Sequence, residues 1–110
     1  MLLDVAIGKE SLSLDIGDPY RLDLDALLAQ VESFASARRA SLDGIDLRGL
    51  IPKMVRGIAG CEGGCPANAR SLVERGFRNF RLRYIEGGIL AAQVETRNGE
   101  TLSLKMFPEF

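Results

Sequence analysis

Residues 80 to 106 alternate apolar and polar side chains through three short runs, and that period of two commits the last third of the chain to antiparallel β-structure. Phe80, Leu82 and Tyr84 share one face of the first run, Leu90, Ala92 and Val94 one face of the second, and Leu102, Leu104 and Met106 one face of the third. Residues opposed on paired strands must share a face, so each turn can be tested against the register it imposes. A two-residue turn at Asn98-Gly99 sets Glu95 against Leu102 and fails. A three-residue loop of Arg97, Asn98 and Gly99, with Gly99 in the left-handed bulge position, opposes Val94 to Leu102, Ala92 to Leu104 and Leu90 to Met106. In the same way, a loop of Glu86, Gly87 and Gly88 opposes Tyr84 to Leu90, Leu82 to Ala92 and Phe80 to Val94. The other face carries Arg81, Arg83, Gln93, Glu95, Thr101, Ser103 and Lys105 and is predicted to meet water, with Ile85 and Ile89 as a small apolar spot on it.

The chain begins in the same way. Leu3, Val5 and Ile7 alternate with polar or small residues, as do Leu12, Leu14 and Ile16. A two-residue Gly8-Lys9 turn, with glycine where φ is positive, pairs Val5 with Leu12 and Leu3 with Leu14.

Between these strand regions the period changes to that of helices. Leu24, Leu27, Leu28, Val31, Phe34 and Ala35 predict a helix over residues 24 to 40, capped by Asp23, stapled by Leu22 and Leu27, and closed near Arg38 and Arg39. Leu50, Ile51, Met54, Val55 and Ile58 continue the pattern with Pro52 inside it. Because proline is tolerated only in a first turn, the reading is a short helix from Pro52 to Ala59 after a single turn at residues 46 to 50, ended by Gly60 in the left-handed conformation. A third helix is predicted over residues 66 to 75, with Pro66 first and Gly76 closing it. The order β-β-α-α-α-β-β-β gives an α+β fold: an N-terminal hairpin plus a C-terminal three-stranded meander form an antiparallel sheet, with the helices on one face. At 110 residues, this is one domain spanning 1–110.

Fourteen basic and 15 acidic side chains leave a net charge of −1, which argues against nucleic acid as a partner. No run approaches the roughly 18 apolar residues of a membrane span, and the first residues lack the basic leader of a secretion signal. A cytoplasmic protein with no membrane partner is expected. The charge is unevenly spread, however. Residues 48 to 83 hold Arg48, Lys53, Arg56, Arg70, Arg75, Arg78, Arg81 and Arg83 against Glu62 and Glu74 alone.

Inside that basic window lies Cys61-Glu62-Gly63-Gly64-Cys65-Pro66, which contains both cysteines of the chain. Cys65 precedes a helix-starting proline, and free N–H groups and the helix dipole at such a position favour a thiolate, lowering a thiol pKa from about 8.5. Three chemistries follow. Cys61 and Cys65 can form a thiol redox pair, since a compact turn brings Cα atoms within the roughly 4.4–6.8 Å that a disulfide needs. They can supply half of a zinc or iron-sulfur site, completed either by a second copy across a symmetric dimer or by carboxylates such as Glu62, because the chain has only two cysteines and no histidine. Gly63, Gly64 and the following amides, assisted by Arg70, can instead hold an anion through the backbone. Against all three stands the burial of cysteine as a small hydrophobe beside a glycine turn.

With no histidine, a Ser-His or Cys-His catalytic arrangement within the chain is excluded. The functional expectation is a non-catalytic accessory or binding module, working through the loop from Cys61 to Arg70 on a protein partner or on itself. The alternative is a thiol-disulfide oxidoreductase or redox sensor using Cys61 and Cys65.

Overall fold

In the computed structural model, residues 1–59, 66–85 and 87–108 are described. The strands are β1 (Leu2–Ile7), β2 (Glu10–Asp15), β3 (Arg81–Ile85), β4 (Ile89–Glu95) and β5 (Thr101–Phe107). The helices are α1 (Leu24–Ala37), α2 (Leu47–Ala59) and α3 (Pro66–Arg75), with a single 3-10 turn at Pro19–Arg21. The strands make one antiparallel sheet in the order β2-β1-β5-β4-β3, and the helices cover one face of it, so the fold is the α+β arrangement expected.

Both glycine-bulged registers hold. Val94 opposes Leu102, Ala92 opposes Leu104 and Leu90 opposes Met106, while Tyr84 opposes Leu90 and Leu82 opposes Ala92. Gly99 sits at φ 81° and donates its N–H to Thr96 O at 3.0 Å. In the first hairpin, Val5 faces Leu12 and Leu3 faces Leu14. At the start of β3 the structure differs slightly. Phe80 is buried but bridges Phe77 across a tight turn, with Arg78 at φ 48°, so the strand begins at Arg81.

α1 closes at Ala37, earlier than residue 40. Arg39 takes a left-handed φ of 55°, Ala40 N–H reaches Ala35 O at 2.9 Å and Arg39 N–H reaches Ser36 O at 3.0 Å, the two bonds of a Schellman closure. Asn98 Nδ2 from the β4–β5 loop donates to Arg39 O at 2.8 Å. Arg38 stacks 3.7 Å over the Phe34 ring, donates to Phe34 O at 2.8 Å and pairs with Glu10 of β2.

α2 runs unbroken through Pro52, where a division had been expected. Asp46 caps it: Gly49 N–H donates to Asp46 Oδ1 at 2.9 Å and Leu50 N–H to Asp46 O at 3.1 Å. An interior proline costs about 3 kcal/mol. Against that cost, Leu47, Leu50, Ile51, Met54, Val55 and Ile58 are all buried on one stripe, each worth roughly 1.5–3 kcal/mol, so a continuous helix wins. The expected Gly60 closure lies outside the described residues. α3 spans the predicted residues, with Gly76 at φ 72° donating to Leu72 O at 2.9 Å.

The core lies between the helices and the inner sheet face, with Leu3, Val5, Val31, Leu50, Ile51, Met54, Leu90, Leu102, Leu104 and Met106 at its centre. Among the described residues no helix is long and apolar enough to cross a membrane.

Candidate functional site

Cys61, Gly63, Gly64 and Cys65 lie outside the described residues, and with them the redox pair, the zinc or iron-sulfur half-site and the glycine part of the anion site. Arg70 is described. Among the described residues, no group of three or more acidic side chains is gathered as a metal-ligand set.

Arg70 is exposed on α3, where helical spacing puts Val73 and Glu74 on the same face three and four positions on. The connection of residues 76 to 80 is short, so α3 returns directly beside β3, the edge strand of the sheet. An open groove of about 770 Å³ runs between them, lined by Arg70, Val73 and Glu74 from α3, by Leu82, Arg83 and Tyr84 from β3, and by Gly87. Leu82 and Tyr84 point toward the core side, yet they remain half-buried, whereas Leu90, Leu102 and Leu104 on the inner strands are 0% exposed. The helix layer stops short of this edge. An apolar floor is left between Arg70 and Glu74 on one rim and Arg83 on the other.

The arginines divide into paired and unpaired. Arg21, Arg38, Arg48, Arg78 and Arg97 each have a carboxylate partner, for example Arg48 with Asp25 at 2.8 Å and Arg78 with Asp46 at 3.1 Å. Arg70, Arg81 and Arg83 form no ion pair among the described residues. Arg39, Arg56 and Arg75, which do not line the groove, are also without an ion pair among the described residues. Arg83 also borders a shallow hollow on the outer sheet face, of about 460 Å³, where Ala91 and Ser103 keep the floor low and Arg81, Gln93 and Lys105 surround them. The register places Arg83, Ala91, Lys105, Asp4 and Ser13 in one row across the sheet, with Ser13 Oγ donating to Asp4 at 2.5 Å. Unpaired positive charge therefore extends from α3 around the β3 edge onto the outer face.

At the far end of the sheet, a polar cleft of about 670 Å³ is lined by Asp43, Asn79, Arg81, Gln93, Glu95, Arg97 and Thr101, among others. The Asp43–Arg97 ion pair, at 3.7 Å, spans it, and Thr96 beneath is buried.

Compared with known proteins, the chain matches no family model, no curated protein and no solved structure.

Sequence reasoning found Arg70 but read Arg81 and Arg83 only as part of a solvated face. Alternation and turn length already put Arg81, Arg83 and Lys105 together on the outer face. The placement of Arg70 against β3 had one local signal, the short run from Gly76 to Phe80, which leaves the chain little room to carry β3 away from α3.

Proposed function

We propose that the chain is a non-catalytic binding module whose working surface runs from the Cys61–Cys65 segment along Arg70 to β3, and whose partner there is anionic. The observation that carries this reading is the pair Arg70 and Arg83 at one groove, with Arg81 beside Arg83 on the adjoining outer face, all three without carboxylate partners among the described residues. An exposed guanidinium–carboxylate contact contributes only about 0–1 kcal/mol, so useful affinity needs several contacts made together. The groove offers that. It also offers Val73, Leu82 and Tyr84 as apolar contact between the charges.

Titration with oligoglutamate, followed by NMR at low and high salt, tests the reading. Shifts at Arg70, Glu74, Arg83 and Gly87 that fade as salt rises are expected. Unchanged binding by an Arg70→Ala/Arg83→Ala variant overturns it.

The thiol reading is favoured by one observation: α3 begins at Pro66, the residue that follows Cys65 in the sequence. A Cys65→Ser variant separates the two readings. Binding through arginines and backbone survives it, while an oxidoreductase using Cys65 as nucleophile and Cys61 as resolving thiol loses exchange with a small disulfide. A zinc or iron-sulfur site shared across a dimer predicts about one metal site per two chains in protein purified without oxygen.

A further inference from the structure

We infer that β3 is an open docking edge, which takes an extended acidic segment of another protein as a sixth strand beside the five of the sheet. This deepens the anionic-partner reading and rests on it. β3 pairs with β4 on one side, and among the described residues no strand pairs with its other side. An edge strand presents backbone N–H and C=O groups that a partner strand can satisfy.

Side-chain positions along that edge define the occupant. Arg81 and Arg83 stand two residues apart on the outer face, so an added strand with carboxylates two residues apart sets one opposite each arginine. The residue between those carboxylates points to the other face, onto half-buried Leu82 and the flank of Val73, with Arg70 at the rim. The complementary segment therefore reads acid, apolar, acid. A second copy is disfavoured by the same charges: its own β3 sets arginine against arginine, and the outer face of its β2 offers Ser11, Ser13 and a single carboxylate, Asp15, rather than two carboxylates two residues apart.

The experiment uses the whole ¹⁵N-labelled chain with four probes: a short synthetic peptide alternating Glu and Val, the same peptide with Lys for Glu, the Glu-Val peptide N-methylated at alternate residues, and oligoglutamate. Binding of the Glu-Val peptide with slowed amide exchange at Leu82 and Tyr84, whose N–H groups face the free edge, is the expected result. The lysine peptide and the peptide N-methylated on its pairing edge should each bind about tenfold more weakly or worse, since ion pairs or strand hydrogen bonds are lost. Arg81→Glu/Arg83→Glu, a change confined to exposed side chains, should reverse the preference toward the lysine peptide. If oligoglutamate shifts Arg70 and Arg83 while no peptide protects β3, the edge proposal fails and the anionic module stands. If no probe binds, both fail. Equal binding of the Glu and Lys peptides, or protection of β3 by self-association without peptide, also overturns the proposal.

Discussion

Gly49 gives a prediction in which local and tertiary reasoning have opposite signs. It lies inside α2, where replacing glycine by alanine in a helix ordinarily gains about 1 kcal/mol. Here a Cβ at position 49 would lie 2.5 Å from Asp46 Oδ2 and 2.8 Å from Phe77 Cζ, inside van der Waals contact on both sides. Asp46 cannot simply retreat. Its Oδ1 caps Gly49 N–H at 2.9 Å and its Oδ2 holds Arg78 Nε at 3.1 Å, linking the start of α2 to the turn that leads into β3. Losing the cap costs about 1 kcal/mol, forcing the Phe77 ring aside costs about 1–3 kcal/mol, and the half-exposed ion pair adds at most a few tenths. After subtracting the propensity gain, Gly49→Ala should destabilise the chain by about 1–3 kcal/mol, and each kcal/mol lowers Tm by about 4 °C for a domain of this size. Urea unfolding measures it directly, as a fall in midpoint at constant slope. Introducing the same change into an Asp46→Ala background should cost less, because one of the two clashes is gone. Equal or greater stability of Gly49→Ala in the native background would refute the packing argument.

Four further outcomes follow from the same geometry. Pro52→Ala restores a donor for Arg48 O and should raise stability by about 1–3 kcal/mol in urea unfolding; no gain would mean that α2 does not run continuously through this position. Arg39→Gly relieves a left-handed residue at φ 55° and should raise stability by about 0.5–1 kcal/mol, read as a small rise in Tm. Leu50→Ala removes a side chain that is 0% exposed and should cost about 2–5 kcal/mol, enough to threaten folding at moderate temperature. Arg70→Glu should leave the unfolding midpoint within about 0.5 kcal/mol of wild type while abolishing salt-sensitive binding of oligoglutamate; a large loss of stability would assign Arg70 to packing instead.

The registers of β1–β2 and of the β3–β4–β5 meander were legible in the sequence, because a period of two and a glycine-bearing loop are local and together leave one consistent pairing. α3 was legible to the residue because Pro66 and Gly76 mark its two ends through backbone geometry alone. The end of α1 was not. Its last turn is closed by Arg39, which has no intrinsic preference for positive φ, and the Arg39 carbonyl bonds to Asn98, fifty-nine positions away.

Pro52 misled sequence reading for a related reason: local propensity weighs the proline but not the buried stripe on both sides of it, which only packing supplies. Strand order is also a tertiary outcome. Alternation shows which side chains are buried, but it is the same whichever edges meet, so the pairing of β1 with β5 depends on which arrangement lets the helices cover one continuous apolar face. That choice leaves β3 at an edge and keeps Leu82 and Tyr84 half-covered. Residue chemistry thus supplied the arginines, and the order of strands made a groove among them.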